Sequence, residues 1–431
     1  MVMEAPLKRS LIILPNNSND SDSVYLPPKD FTKMKILVLT ENFPPSSAIS
    51  ARRWGELAPL LSNKANLVSV LHREEDKFII KELKSAELVS EMTYPDAGTV
   101  AKSESPRQKK QIRSTHTGFW FSNFVALPRV LDSSSLRWLR ALTNKHLFDY
   151  IKTRGFDYVI ASYGPGGPIA LGYTVKVLLK YKLMIDFRDS FDAKRPLSGP
   201  LSSFSLLVER FLVNSADCRV TIGLKLSDYL SKTYKSSFSP IYNGLSDKGS
   251  NDVIDNSIAT RFYYAGTIYR HRLASFKLLL SYLRQSPTWS LTVRLLGDNF
   301  AEVCSLVSAS GLASRVEILP ATTKQIIESE LDDGSLPIVL EVLESGEPEW
   351  IYGNVTGKLF ELASRYSNGL VIANPRSESF ELAARINGWY AIGSEADFSK
   401  LSDDDCIDPN LKWREEFTFS RQAEALWKLL N

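Results

Sequence analysis

Cysteine and histidine are scarce in this chain of 431 residues, and their positions exclude several classes of protein. The three cysteines and four histidines, isolated from one another, are Cys218, Cys304, Cys406, His72, His116, His146 and His271. This spacing provides neither a disulfide framework nor a metal-ligand motif. We therefore predict a protein of a reducing, cytoplasmic compartment that uses no metal ion and no cofactor.

Long apolar runs and a strong net charge are also lacking. No stretch is apolar enough to predict a membrane span, and a net charge of +3 with a pI of about 8.5 is too mild to predict nucleic-acid binding. Near the N-terminus, the run LIILP is too short for a signal peptide and precedes the polar tract NNSNDSDS. Residues 1–33 are therefore expected to form an irregular tail outside the fold.

From Met34 onward, the sequence contains a regular alternation of short β-rich runs with amphipathic stretches of helical length. Alternation of this kind predicts an α/β fold with parallel sheets. It pauses at a polar stretch and then starts again, so two Rossmann-like halves of similar size are expected. The predicted boundaries are 34–245 for the N-terminal half, 246–257 for a linker, 258–412 for the C-terminal half and 413–431 for a last helix that crosses back to the N-terminal half.

One region, about residues 77–147, interrupts the alternation within the N-terminal half. It contains KSESPRQKKQIR, which has five basic residues and one acidic residue, followed by the aromatic stretch THTGFWFSNFVALPRVL. Two interpretations remain open for this insertion. It is either a mobile surface insertion packed by its own aromatic side chains or a patch that faces a membrane or an acceptor. The second interpretation would give the protein peripheral contact with the inner face of the membrane.

The stretch TGKLFELA, which begins at Thr356, has the features of a helix start that binds an anion. Thr356 suits an N-cap, Gly357 permits close approach to the backbone, and Lys358 adds a positive charge. The spacing does not match a P-loop, because three residues rather than four separate Gly353 from Gly357 and a leucine follows the lysine. Neither half opens with the glycine-rich dinucleotide fingerprint. These observations exclude the nucleotide-hydrolase and dehydrogenase motifs.

A carboxylate, Glu361, follows Lys358 by one helical turn. It would repel a phosphate that it touched, so it is better suited to accept hydrogen bonds from hydroxyl groups such as those of a ribose. A ligand that combines a diphosphate with sugar hydroxyls is a nucleotide sugar. The alternative for Lys358 and Glu361 is a solvated helix face that binds nothing.

Two segments of the N-terminal half place polar residues where predicted strands end. In ENFPPSSAISARRWGELAPLL, a loop of small residues that includes Ser46 and Ser47 precedes a helix that carries Arg53, and small side chains let such a loop approach a ligand. In MIDFRDSF, charged side chains that include Arg188 and Asp189 follow a strand. They either form an internal Arg–Asp pair that anchors the loop or line a cleft between the two halves.

The order of these motifs resembles the GT4 family (glycosyltransferase group 1) of retaining enzymes, which have the GT-B fold of two Rossmann-like parallel-sheet domains facing across a cleft. The resemblance is to a bacterial subgroup with Arg-Trp on the first helix, and it covers most of residues 34–430. The stretches that carry it are MKILVLTENFPPSSAISARRWGELAPLL, FDYVIASYGPGGPIALGYTVKVLLKYKLMIDFRDSF, ERFLVNSADCRVTI, IYNGLSD, FYYAGTIYRHR and GKLFELASRYSNGLVIA.

The resemblance implies a role for each matching position. Glu361 would bind the ribose of a nucleotide-sugar donor, while Thr356 and Gly357 would face its diphosphate. Arg272 and Lys358 would also serve the diphosphate and are the predicted catalytic residues. The other predicted donor-site residues are Gly266, Thr267, Ser46 and Ser47, and those placed on the cleft or acceptor side are Arg53, Tyr163, Arg188 and Asp189.

The sequence departs from the family pattern at several positions. Gly353 stands at the first glutamate of the E-x7-E donor motif, Thr267 at a usual basic position, and Ser46 with Ser47 at a glycine pair. A histidine is also missing from the segment IASYGPGG. The implied function is metal-independent transfer of a hexose from a nucleoside diphosphate sugar to a glycan or lipid-linked acceptor in polysaccharide biosynthesis. The alternatives are a degenerate GT-B binding partner, which the loss at position 353 favours, and a nucleotide-sugar epimerase of the same fold.

Overall fold

The computed structural model describes residues 34–46, 48–96, 133–191, 200–245, 253–256, 260–297, 299–402 and 411–431. These residues form two α/β domains, each built on one sheet. The predicted N-terminal tail, the basic and aromatic stretch between residues 97 and 132, and most of the predicted linker lie outside the described residues.

The first domain is built on a sheet of eight strands. They are β1 (Lys35–Leu39), β2 (Leu67–Glu74), β3 (Lys77–Lys84), β4 (Glu87–Pro95), β5 (Tyr158–Tyr163), β6 (Lys182–Phe187), β7 (Cys218–Thr221) and β8 (Ser239–Pro240). Their order across the sheet is β4-β3-β2-β1-β5-β6-β7-β8. Neighbouring strands are parallel along the part of the sheet that runs β2-β1-β5-β6-β7-β8. At the other edge, β3 is antiparallel to both β2 and β4.

The second domain contains a sheet of six parallel strands. They are β9 (Arg261–Gly266), β10 (Ser290–Leu295), β11 (Val316–Pro320), β12 (Ser335–Leu340), β13 (Gly369–Ile372) and β14 (Trp389–Ile392). Their order, β11-β10-β9-β12-β13-β14, is the order of a doubly wound Rossmann sheet. In such a sheet ligands bind where the strand order reverses, which here is at the carboxyl ends of β9 and β12.

Helices connect the strands of both sheets. In the first domain they are α1 (Ile49–Ser62), α2 (Ser133–Leu139), α3 (Lys145–Arg154), α4 (Gly167–Leu179), α5 (Pro200–Asn214) and α6 (Leu224–Tyr234). Those that follow are α7 (Leu273–Gln285), α8 (Phe300–Ala309), α9 (Lys324–Asp332), α10 (Glu349–Tyr352), α11 (Gly357–Arg365), α12 (Glu378–Ala383), α13 (Leu411–Glu416) and α14 (Phe419–Leu430). None of the helices in the described ranges is both long and apolar enough to cross a membrane.

The alternation predicted from the sequence follows from burial on both faces of each sheet. Strand β12 reads SLPIVL and is buried at every position, as expected for a strand covered by helices on both sides. The α/β class with two parallel sheets is confirmed. The sequence interpretation missed β3 and β4. Strands β3 (KFIIKELK) and β4 (ELVSEMTYP) form an antiparallel hairpin inside the stretch that was predicted to interrupt the alternation.

The C-terminal helix α14 lies against the first domain. Its apolar residues Phe419 and Leu426 belong to the same buried cluster as Trp54 of α1. The chain leaves the first domain after Leu245 and returns to it near Phe417, and these two segments lie side by side. The amide of Leu245 donates to the carbonyl of Phe417 at 2.7 Å, and the amide of Phe419 donates to the carbonyl of Leu245 at 2.9 Å. The two crossing segments are therefore hydrogen-bonded to each other.

Candidate functional site

A cavity of about 740 Å³ lies between the two domains. Residues that follow β9 and β12 line it on one side, together with the start of α11, and residues of α1 and of the segment after β6 line it on the other. Its charged lining residues are Arg52, Arg53, Arg188, Asp189, Arg272, Arg294, Lys324, Glu328, Glu341, Lys358, Glu361 and Arg365. The cavity thus lies at the position that the strand order of the second sheet favours for a ligand.

Helix α11 begins at Gly357, as the sequence predicted, and this helix start lies at the wall of the cavity. Thr356 is the N-cap residue and Gly357 is the first helical residue, and both line the cavity. The Thr356 side chain makes no capping hydrogen bond. The first-turn N–H groups of a helix have no partner within the helix, and together with the helix dipole they attract an anion.

Lys358, the second residue of α11, lines the cavity. Its Nζ donates to the carbonyl of Ala265 at 2.6 Å and lies 5.2 Å from the centre of the Tyr264 ring. A Cβ added to Gly266 would be 1.8 Å from this Nζ, so the glycine makes room for the lysine. Burial, followed by the nearby charge of Arg272, lowers the pKa of Lys358 to about 8. A bound phosphate would favour the protonated form of this lysine.

A second cation, Arg272, is held beside Lys358 by a carboxylate. Its Nη2 is 3.0 Å from Oε2 of Glu341, and its guanidinium lies 5.2 Å from the centre of the Tyr269 ring. Both partners are almost fully buried, with 14% and 7% of the Arg272 and Glu341 side chains exposed. Sequence reasoning had named Arg272 but not Glu341. The only sequence signal for Glu341 is a charge directly after the apolar run of β12.

Glu361 faces the cavity from the second turn of α11. Its Oε2 lies 3.0 Å from Nη1 of Arg52, which belongs to α1 of the first domain, and its Oε1 is paired with Lys324. Burial alone would raise the pKa of Glu361, but Arg52 and Lys324 more than offset this and lower it. Glu361 is therefore an anion at neutral pH that can accept hydrogen bonds, and it joins the two domains across the cavity.

The cleft-side predictions have mixed outcomes. Arg53 lines the cavity, but its donors are used, since it forms a bidentate pair with Asp186 at 3.0 and 3.2 Å and donates to the carbonyl of Tyr242 at 2.9 Å. One interpretation of the segment MIDFRDSF was an internal Arg–Asp pair. The structure shows an Arg–Asp pair there, but its arginine is Arg53 of α1 and not Arg188. Arg188 and Asp189 also line the cavity.

Two of the predicted residues that the structure describes do not line this cavity. Tyr163 is 1% exposed and packs against the rings of Phe187 and Phe191, so it belongs to the core of the first domain. Ser46 is exposed and is not among the lining residues. Ser47 lies outside the described residues.

The two domains also touch through Gly353, where the family resemblance had predicted a glutamate. A Cβ at Gly353 would be 2.4 Å from the backbone nitrogen of Leu226 in α6 of the first domain. Next to this contact, Glu378 of the second domain accepts hydrogen bonds from the amides of Leu224 and Lys225 at 2.6 and 2.9 Å. Position 353 therefore has no room for a side chain in this arrangement of the domains.

Known proteins were compared with the chain by sequence and by structure. No protein-family model matches the sequence, and no curated protein is significantly similar to it. Among solved structures, sucrose-phosphate synthase from Thermosynechococcus elongatus is similar, with a TM-score of 0.56, 13% identity, and coverage of 92% of this chain and 96% of that chain.

Two further solved structures are similar over almost the whole chain. A lipopolysaccharide outer core galactosyltransferase has a TM-score of 0.54 at 14% identity and covers 92% of this chain and 99% of its own. A glycosyltransferase from Rickettsia africae ESF-5 has a TM-score of 0.54 at 12% identity, with 93% and 98% covered. Together with the two parallel sheets, these similarities confirm the predicted GT-B fold.

Proposed function

We propose that the protein is a retaining, GT4-like glycosyltransferase that moves a sugar from a nucleoside diphosphate sugar to a glycan or lipid-linked acceptor. One observation carries this proposal. The start of α11, Lys358, Arg272 and Glu361 line a single cavity at the point where the strand order of the second sheet reverses. A diphosphate fits the cations and the helix start, and Glu361 is one helical turn away for the ribose hydroxyls.

The proposed reaction depends on charge that grows on the leaving diphosphate. The acceptor oxygen bonds to the anomeric carbon while the bond from that carbon to the diphosphate breaks on the same face of the sugar. The hydroxyl proton of the acceptor passes to the departing phosphate oxygen. Arg272, Lys358 and the first-turn N–H groups of α11 would stabilise this charge, so we propose that the reaction needs no metal ion.

The two alternative functions predict different chemistry. An epimerase would need acid and base groups around the sugar, and among the described residues no histidine lines the cavity between the domains. A binding partner without activity is favoured by Gly353, where a catalytic carboxylate has no room. Such a protein would bind the donor but neither transfer nor hydrolyse it.

The proposal is tested by calorimetric titration of the protein with uridine, guanosine, adenosine and thymidine diphosphates and their hexose esters. We expect one base to bind clearly more tightly than the others, with the same affinity in EDTA and in Mg²⁺. Slow hydrolysis of the preferred sugar ester should accompany binding. Failure to bind any of the nucleotides would contradict the function, binding without turnover would indicate the inactive partner, and activity only with a metal ion would contradict the metal-free mechanism.

The Glu361→Ala variant should bind the preferred nucleotide more weakly while remaining folded. Loss of hydrogen bonds between a charged carboxylate and two hydroxyls would cost roughly 1–3 kcal/mol of binding free energy. Stability should change little, because the Glu361 side chain is 34% exposed and such ion pairs contribute little. Calorimetry and thermal unfolding measure both effects. Glu317→Ala, at an exposed position of β11, is the control, and equal affinity of the two variants would refute the assignment.

A further inference from the structure

One residue that lines the cavity between the domains, Glu341, has a carboxylate oxygen without a hydrogen-bond partner among the described residues. Oε2 of Glu341 is paired with Arg272 at 3.0 Å. Its other oxygen, Oε1, is buried and accepts no hydrogen bond from any described residue. A buried carboxylate oxygen without a donor is costly, because its desolvation is not compensated. Burial accordingly raises the pKa of Glu341, against the opposing charge of Arg272.

The other carboxylates that line this cavity in the described part of the chain already have partners. Asp189 accepts a hydrogen bond from Asn354 at 3.2 Å, and Glu328 is paired with Lys324 and Arg365. Glu361 is paired with Arg52 and Lys324. Glu341 is therefore the lining carboxylate with a buried oxygen that no described residue meets with a hydrogen bond.

The main chain at Glu341 is held in place by hydrogen bonds. Glu341 directly follows β12 at the reversal of strand order, and its amide donates to the carbonyl of Ile372 at 3.0 Å. Its carbonyl accepts from the hydroxyl of Ser275. Ser275 is fully buried, so the main chain is held on both sides. The carboxylate therefore projects from a rigid strand end rather than from a mobile loop.

The charges around Glu341 indicate which kind of ligand group could donate a hydrogen bond to its Oε1. A phosphate at Lys358 and Arg272 would repel this carboxylate, so the oxygen is unsuited to the diphosphate itself. It is suited to a hydroxyl group attached next to the diphosphate. Lys358 is within electrostatic reach of two carboxylates, Glu361 from its own helix and Glu341 from the strand end, and Arg272 is paired with Glu341.

We propose that Glu341 binds a hydroxyl group of the sugar that is transferred, on the opposite side of the diphosphate from the ribose. This assignment rests on the proposed function, since it takes the ligand to be a nucleotide sugar. Glu341 then contributes to the choice of donor sugar, and it holds the sugar while Arg272 and Lys358 hold the leaving group.

The first test compares Glu341→Gln with the wild-type protein in calorimetry, using the preferred nucleoside diphosphate and its hexose ester from the nucleotide panel. The variant should bind the diphosphate within about threefold of the wild type. It should bind the hexose ester about 10- to 100-fold more weakly, the effect of a hydrogen bond to a charged group. Glu344→Gln, an exposed glutamate three positions later, is the matched control.

Parallel loss of affinity for both ligands would overturn the proposal, because it would mean that Glu341 only positions Arg272. An unchanged affinity for the hexose ester would overturn it as well. If the wild-type protein binds no nucleotide, the proposed function itself fails, and the inference fails with it for a different reason.

A second measurement begins with the wild-type protein alone, so its main result does not depend on how well the variant folds. The wild-type protein is titrated with nucleotide esters of the sugar in which the hydroxyls are removed one at a time. One deoxy sugar should lose about 10- to 100-fold in affinity, and Glu341→Gln should no longer distinguish it from the parent sugar. Equal binding of every deoxy sugar by the wild type would refute the contact.

Discussion

The Lys358→Ala variant should lose turnover by about tenfold to a thousandfold, the range found when a group that stabilises developing charge is removed. Lys358 lines the cavity, 2.6 Å from the carbonyl of Ala265 and beside Arg272, where the leaving diphosphate is proposed to gain charge. Steady-state kinetics of transfer or of donor hydrolysis measure the loss. The free energy of unfolding, measured by thermal unfolding, should change by much less than the activation free energy of the reaction.

Lys64→Ala, at an exposed position of the first domain, is the control for this experiment and should retain wild-type turnover. Arg272→Ala should lower turnover in the same way, although it also leaves the buried Glu341 without its cation. Nearly unchanged turnover in Lys358→Ala would mean that the lysine only fills space at Gly266, and the assignment of the diphosphate site would be wrong.

The pKa of Lys358 also predicts how the affinity for the donor, measured by calorimetry, depends on pH. Burial and Arg272 lower this pKa to about 8 in the unliganded protein. An anion binds the charged form, so donor affinity should be constant below this pH and fall as the pH rises through it. The Lys358→Arg variant stays charged over this range and should lack the decline.

The second large effect is expected at Gly353, where the resemblance to the GT4 family predicts a glutamate. The Gly353→Glu variant should lose activity rather than gain it. A Cβ there would be 2.4 Å from the Leu226 nitrogen and 2.8 Å from its Cα, which are backbone atoms of the other domain. Overpacking of this kind typically costs about 1–3 kcal/mol, and α6 and α10 would have to separate.

Separation of the two domains would also disturb the contact between Arg52 and Glu361, so we expect weaker donor binding together with the loss of turnover. Gly346→Glu is a matched control, because a Cβ at that position meets no atom within 4 Å. Higher turnover in Gly353→Glu than in the wild type would show that a glutamate can be accommodated here, and that the close contact with α6 is not required for activity.

The sequence was most informative where the chemistry is local. The helix start at Thr356, the cation at Lys358 and the carboxylate at Glu361 lie within six residues, and their spacing on a helix places them at one end of it. The two halves were equally predictable, because strands that are buried on both faces read as continuous apolar runs between amphipathic helices.

Partners that are distant in the sequence were not predictable in this way. Glu341 pairs with Arg272 across 69 positions, and no local pattern connects them. On α1, Arg52 and Arg53 are neighbours and point about 100° apart around the helix. Sequence reasoning selected Arg53, which is bound to Asp186, whereas Arg52 reaches Glu361. The choice between them depends on how α1 is rotated against the sheet, and packing determines that rotation.

The paired crossing segments have a mechanical consequence for the motion of the two domains. A single connecting strand would allow one domain to swivel about the strand as well as to bend. Here the segment at Leu245 is hydrogen-bonded on both sides of Thr418 to the returning chain. Two joined strands resist torsion around their common direction and leave bending as the softer movement. Any movement of one domain against the other would therefore follow the same bending arc and bring Arg52 back to the same place opposite Glu361.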